Sequence, residues 1–331
     1  WEGYAWLTNS VDADRDAVRL TIFVAMAAML VVALATPGAF GADATLFAGA
    51  YAVVRVVHLM LYVQGTQDSD VRAAVWRLAP SALATCALLG AAASFDGTAQ
   101  AALWLAAIAV DYGGLYLAGT KGWSVQSAHF AERHSLIVLI ALGESVVEIG
   151  AGVPEEGLGT GVVVAALLAV VAIAALWWAY FDVVAPVAER RMRAATPAER
   201  VAIARDSYTY LHLPMVAGIV LLAFGIEATI AHVGEPLETV AAVALCAGPA
   251  LYLLALIAFR LRNVRSLNRQ RLVAAVALAL VVGVATNAAA LWALALVTAI
   301  LAGLIAYEAL RFREARARIR SGGGSMRVPE G

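Results

Sequence analysis

The chain has 331 residues, 63% of them hydrophobic and 14% charged, with a mean hydropathy of +0.82 and a formal net charge of −1. That much apolar surface cannot be buried by a water-soluble fold of this length, which excludes a soluble enzyme or binding domain. The small net charge identifies no partner, and the basic clusters flank apolar runs without any nucleic-acid-binding motif, so no nucleic-acid partner is expected.

Taken in order, the chain opens on WEGYAWLTNS and meets charge at Asp12. This reads as the tail of a membrane helix whose start lies upstream. Apolar runs of about 20 residues, each long enough to cross a bilayer, then follow at 17–36, 44–63, 74–95, 99–119 and 129–150. Further runs lie at 160–185, 206–231, 238–259, 271–288 and 290–310. The breaks between them are short and carry Gly, Pro or Asp, as in TPGAFGAD, FDGT, GVPEEGLGTG and VGEPLE. The expected fold is therefore all-α, a polytopic helical membrane protein with about ten transmembrane helices. Residues 1–320 form one transmembrane domain in this reading, with a repeat boundary near 120–128, and RSGGGSMRVPEG, from 320, leads into a flexible tail over 321–331.

Orientation follows from the positive residues. Every Lys and Arg except Arg55 falls in alternate loops or the two ends, all on one side of the membrane. By the positive-inside rule that side is cytoplasmic, which places the protein in the inner (plasma) membrane with its C-terminus inside. Cys86 and Cys246 lie inside apolar segments and are expected to be inert. The ending WEGYAWLTNSVD has a loose echo in ALWWAYFD (175–182), consistent with two parallel repeats of about six helices each.

Several blocks together resemble the bacterial low temperature requirement protein A family: HFAERHSLIVLIALGES (129–145), LWWAYFD (176–182), RDSYTYLHLPMVAGIVL (205–221) and GPALYLL (248–254). Their order and spacing match across nearly the whole chain. The family usually opens with a helix containing a Phe-Phe-Asp-Leu-Val-Phe-like block, absent here. The resemblance thus implies about twelve helices, each of bilayer length, in the intact protein. It implies no settled biochemical activity.

Ionisable side chains within the hydrocarbon are costly and mark candidate sites. Arg55 and His58 lie near the middle of the second run, three apart and on one face. Asp111 lies at similar depth in the fourth run. Glu144 and Glu148 lie in the fifth, on one helical face with Arg133, Ile137 and Ile140. These residues form a candidate binding site or proton path centred on Glu144, which is expected to face the bundle interior. Arg55 is expected to pair with Glu144 or Asp111 rather than face lipid. The competing reading is an ion pair that fixes helix packing. A second polar layer, toward the basic loops, holds Arg133, His134, Asp182, Tyr208, Tyr210 and His212, where the alternative is interfacial anchoring. Pro214 cannot donate to the carbonyl of Tyr210, so the helix is expected to be irregular there. Asn287 is expected to bond between helices.

Metal and nucleophile motifs fail on spacing. Glu132 lies between His129 and His134, so there is no HExxH, and there is no GxSxG. No metal, cofactor or catalytic residue is expected. The expected partners are membrane lipid and a small solute or proton, and the sequence sets no oligomeric state. The first functional expectation is a transporter or permease-like protein. The alternative is a membrane-embedded sensor or lipid- or partner-binding protein without a transport cycle, and an intramembrane enzyme ranks last.

Overall fold

The computed structural model describes residues 2–11, 16–155 and 157–320. The tail over 321–331 lies outside the described residues, as do Asp12 and Arg15. The described chain is helical, and by length and composition nine of its helices can cross a membrane. The chain divides into two compact units, residues 1–126 with 196–202, and residues 127–195 with 203–331.

The first unit holds α1 (Glu2–Ser10), α2 (Asp16–Ala35), α3 (Ala44–Gly65), α4 (Ser69–Ala92) and α5 (Gly97–Ala118). Asp68 starts α4 by accepting from the N–H groups of Asp70 (2.8 Å) and Val71 (3.4 Å), which satisfies donors that an open helix end would leave bare. Gly119, at φ 72°, ends α5 in a conformation that suits glycine. Outward positions of these helices carry Leu20, Phe23, Leu34, Leu105 and Leu117, all exposed, as expected of a surface that meets lipid. The short α1 is fastened at its end: Asn9 donates to Ser124 O (2.7 Å) and accepts from Gln126 N–H (2.9 Å).

The second unit holds α6 (Ser127–Ala151), α7 (Thr160–Phe181), α8 (Val184–Ala194), α10 (Tyr210–Ala231), α11 (Thr239–Val264), α12 (Arg269–Leu280), α13 (Val282–Ala285), α14 (Ala290–Arg311) and α15 (Arg313–Arg320). The short α9 (Pro197–Ile203), all but its last residue in the first unit, precedes the second stretch of this unit in the chain. Its centre is the α10–α11 pair, where glycines let the two backbones touch. A Cβ on Gly218 would lie 2.6 Å from Gly248 O, and one on Gly225 would lie 2.5 Å from Leu245 Cα. Small residues at such a crossing replace the hydrophobic drive that lipid removes. Both helices pass through an internal proline, Pro214 and Pro249.

Two expectations change. The run 271–288 is not one helix but α12 and α13, separated at Val281. Among the described residues Asn287 does not bond to another helix; its Nδ2 donates to Gly283 O (2.9 Å) and ends its own turn. The carbonyl is freed for this because the helix stops at Ala285. The broken segment is tied to the loop before α11 instead. Leu237 N–H donates to Ala285 O (2.9 Å), Ala290 N–H to Glu235 O (2.8 Å) and Leu291 N–H to Val233 O (3.3 Å).

Candidate functional site

In the first unit, Arg55 on α3 donates through Nη2 to Asp111 Oδ1 on α5 at 2.5 Å, with the two side chains 18% and 24% exposed. This is the ion pair expected for Arg55, with Asp111 as the partner. Arg55 Nε is buried and has no acceptor among the described residues. His58, three residues on, is used differently. Its Nε2–H donates to Gly3 O at 2.8 Å, and its ring packs on Tyr4 (5.2 Å) and Tyr62 (5.1 Å). A Cβ on Gly3 would come within 2.7 Å of that ring, so the histidine is the seat of α1 rather than part of the ion pair. Replacing Arg55 by leucine is expected to destabilise the protein by about 1.5–3 kcal/mol, because Asp111 is left as an uncompensated carboxylate. The Arg55→Leu, Asp111→Leu double variant should regain most of the loss. Thermal unfolding in detergent micelles checks this, and a double variant no more stable than the single one would contradict it.

In the second unit, α6 buries Phe130, Ala131, His134, Val138, Ala141, Leu142 and Ser145, and packs mainly against α10. Arg133, Glu144 and Glu148 lie beside this stripe. Glu144 is exposed, and Arg133 and Glu148 are half-buried. The expectation that Glu144 faces the interior is therefore not met: α6 turns its aromatic, histidine and small residues inward and its carboxylates aside.

Three members of the second polar layer, His134, Tyr208 and His212, are drawn together. His134, Tyr208 and His212 are at most 1% exposed, with Tyr180, Phe130 and Phe259 buried around them. The His134 and His212 rings are 5.0 Å apart, and the Tyr208 ring stacks on His212 at 5.3 Å. His212 Nδ1 lies 3.4 Å from Ser207 O, and Nε2 lies 2.9 Å from Tyr180 Oη. A carbonyl can only accept, so Nδ1 carries the proton and Nε2 accepts from the tyrosine. His134 likewise donates from Nδ1 to Phe130 O (2.8 Å).

Local backbone explains how these groups meet. Residues Ala204–Thr209 form a π turn ahead of α10, with Tyr210 N–H reaching back to Arg205 O. Pro214 leaves the carbonyl of Tyr210 without its usual donor, yet α10 runs as one helix over Tyr210–Ala231, and the irregular backbone lies ahead of it, in this turn. The turn is pinned by Asp206, which takes Arg205 on Oδ1 (2.7 Å) and Arg262 of α11 on Oδ2 (2.9 Å).

Asp182, expected in the same layer, has a different neighbourhood. It ends α7 and pairs with Arg316 of α15 at 2.5 Å, both side chains 10% exposed. The Arg316 guanidinium also lies 5.6 Å from the centre of the Trp178 ring. This pair is one wall of a partly open cavity of about 120 Å³ lined by α7, α8, α11, α12, α14 and α15. Another wall holds a second ion pair, Arg271 to Glu308, made twice over: Nε to Oε1 at 2.9 Å and Nη2 to Oε2 at 2.8 Å. Asn268 Nδ2 donates to the same Oε1 (3.0 Å), while its Oδ1 caps α12 through Arg271 N–H (3.2 Å). Phe259 lines the cavity and also packs on His212 (5.4 Å) and Tyr208 (5.4 Å). The cavity thus borders His212 and Tyr208 across one ring.

Arg260, Asn263, Arg271, Glu308, Arg316 and Tyr180 were not among the candidates read from sequence. The available signal was weak: acids and arginines at the ends of apolar runs, which also mark ordinary helix ends. Among the described residues, no group of three or more His, Cys, Asp or Glu is placed to hold a metal ion.

Comparison with known proteins adds the following. The family model for bacterial low temperature requirement A protein (LtrA) matches residues 1–306. The uncharacterized protein RA0937 of Rhizobium meliloti (strain 1021) is 28% identical over 281 residues, covering 76% of this chain. The match spans 64% of that curated relative's length. No solved structure matches.

Proposed function

This chain belongs to the bacterial low temperature requirement A family, and we propose that it is a permease-like membrane protein that binds a small solute in the cavity of its second unit. The observation that carries this reading is the cavity itself, about 120 Å³ between helix ends, with the Asp182–Arg316 and Arg271–Glu308 pairs in its wall. Ionisable side chains that converge on one cavity with an otherwise apolar lining make it the default candidate for a binding site. A broken helix beside such a site gives it room to move, and here the π turn of Ala204–Thr209 precedes α10. A ligand that displaces Phe259 also disturbs His212 and Tyr208, which links occupancy to the Tyr180–His212 hydrogen bond. Glu144, exposed on α6, is not the centre of this reading. The basic loops, and with them the cavity, face the cytoplasm of a cell bounded by the plasma membrane.

The second reading is a membrane-embedded sensor or lipid-binding protein without a transport cycle. It is favoured by α8, which begins two residues after Asp182, borders the cavity and ends on Arg191 and Arg193. One experiment separates the two. Val264 lines the cavity. Val264→Cys, in a background with Cys86 and Cys246 replaced, is treated with an impermeant maleimide in intact cells and in inside-out vesicles. A permease is expected to be modified from both sides, more slowly from outside. Modification from the cytoplasmic side alone supports the sensor, and none from either side removes the cavity as a water-accessible site.

A further inference from the structure

The wall of the cavity carries more positive than negative charge. Arg260, Arg271 and Arg316 face Asp182 and Glu308 across it. Two of the arginines are neutralised by their acids. Arg260 is half-buried, and its one hydrogen bond among the described residues is from Nε to Ser266 Oγ at 2.8 Å. Its remaining donors have no carboxylate of this wall to themselves. A half-buried guanidinium with donors to spare suits an anion that accepts in its plane.

Two further features converge on the same place. Helix α12, of 12 residues, starts at this wall, with Asn268, Gln270 and Arg271 of its first turn lining the cavity. Asn268 Oδ1 satisfies one of its first N–H groups, and the positive end of the helix favours an anion nearby. Independently, Asn263 is 6% exposed and donates from Nδ2 to Phe259 O (2.8 Å), while its Oδ1 is buried with no donor among the described residues. Orphaned acceptors of this kind are rare in folded proteins. This one calls for a donor, which a ligand hydroxyl supplies. The rest of the lining is apolar: Trp178, Val184, Val187, Val264, Leu267 and Phe312.

We propose that the cavity takes an anionic, hydroxyl-bearing headgroup, a phosphate ester or carboxylate, carried on an apolar body. Arg260 and the start of α12 receive the anion, Asn263 Oδ1 accepts from the hydroxyl, and the valines and aromatic rings cover the apolar part. A cation meets the surplus arginine, and a purely apolar molecule leaves both Arg260 and Asn263 unsatisfied. The assignment rests on the reading that the cavity is the binding site.

The test uses the full chain, delipidated in detergent micelles, with binding followed by thermal unfolding and native mass spectrometry. The probes are short-chain phosphatidylglycerol, phosphatidylcholine of the same chain length, and glycerol phosphate. Phosphatidylglycerol is expected to bind saturably and more tightly than phosphatidylcholine. Arg260→Gln should weaken it about tenfold, and Asn263→Asp, which adds a negative charge to the wall, should abolish it. Arg265→Gln, at an exposed residue outside the wall, should change nothing. If either wall variant fails to fold, the preference for phosphatidylglycerol over phosphatidylcholine on the unmutated chain decides the assignment. Competition by glycerol phosphate then identifies the source of the anion: if it competes the free anion suffices, and if it does not the lipid is the ligand. Equal binding of phosphatidylcholine, or binding undiminished in Arg260→Gln, overturns the ligand class and leaves the cavity as a site. Phosphatidylglycerol binding that survives a bulky maleimide on Val264→Cys overturns the cavity as the site, and the proposed function with it.

Discussion

Replacing Glu308 by alanine is expected to destabilise the protein by about 3–5 kcal/mol, the cost of stranding one member of a buried ion pair. Arg271 is 7% exposed and spends both Nε and Nη2 on this one carboxylate, at 2.9 and 2.8 Å. Without Glu308 the guanidinium keeps its desolvation penalty and loses both acceptors. Asn268 loses the acceptor for its Nδ2 at the same time, so the cap of α12 is loosened too. The Arg271→Leu, Glu308→Leu double variant removes charge on both sides and should recover more than half of the loss, since an apolar pair of similar volume fits such a site nearly as well. Unfolding temperatures in micelles read both effects. A Glu308→Ala protein as stable as its parent would mean that water or lipid headgroups solvate Arg271 and that the wall is open.

Gly225→Val is expected to be the most disruptive single change in the α10–α11 pair. A Cβ there would lie 2.5 Å from both Cα and N of Leu245. Those are backbone atoms, so no rotamer change relieves the clash, and the two helices must separate along their length. Overpacking of a tight core costs about 1–3 kcal/mol, and the upper end or beyond is expected where backbone opposes it. The same pair would lose contact at Gly218, whose absent Cβ faces Gly248 O at 2.6 Å. Gly143→Ala on the exposed side of α6, where nothing lies within 4 Å, is the control. It should be neutral or stabilising by up to about 1 kcal/mol, from helix propensity alone. Equal behaviour of the two variants would show that α10 and α11 do not touch as described.

The membrane helices were legible because a bilayer imposes length and polarity on the sequence directly. The runs 44–63 and 290–310 correspond to α3 (Ala44–Gly65) and α14 (Ala290–Arg311). The break within 271–288 was not legible, because LVAAVALALVVGVA is apolar throughout and hydropathy does not see where hydrogen bonding stops. The Arg55–Asp111 pair could be anticipated from depth and cost, since an arginine at mid-membrane has few affordable partners. The orientation of α6 could not. Its charges mark one line along the helix, but burial follows the adjacent line of Phe130, His134, Val138 and Ser145 that fits against α10. The cavity was out of reach for a different reason. Asp182 and Arg316 are separated by most of the second unit, and a lone juxtamembrane arginine looks the same whether it meets phosphate, water or a buried carboxylate.

The three backbone hydrogen bonds between residues 233–237 and 285–291 bear on how the second unit can deform. They stitch the ends of two helical hairpins together with main-chain groups, which no side-chain rearrangement releases. At the opposite end of α14 the joints are made by side chains: Arg271 of α12 pairs with Glu308, and Arg316 of α15 pairs with Asp182 at the end of α7, around the cavity. The main-chain stitch thus acts as a fixed pivot for α14, and any widening of the cavity falls on the end where two ion pairs must let go.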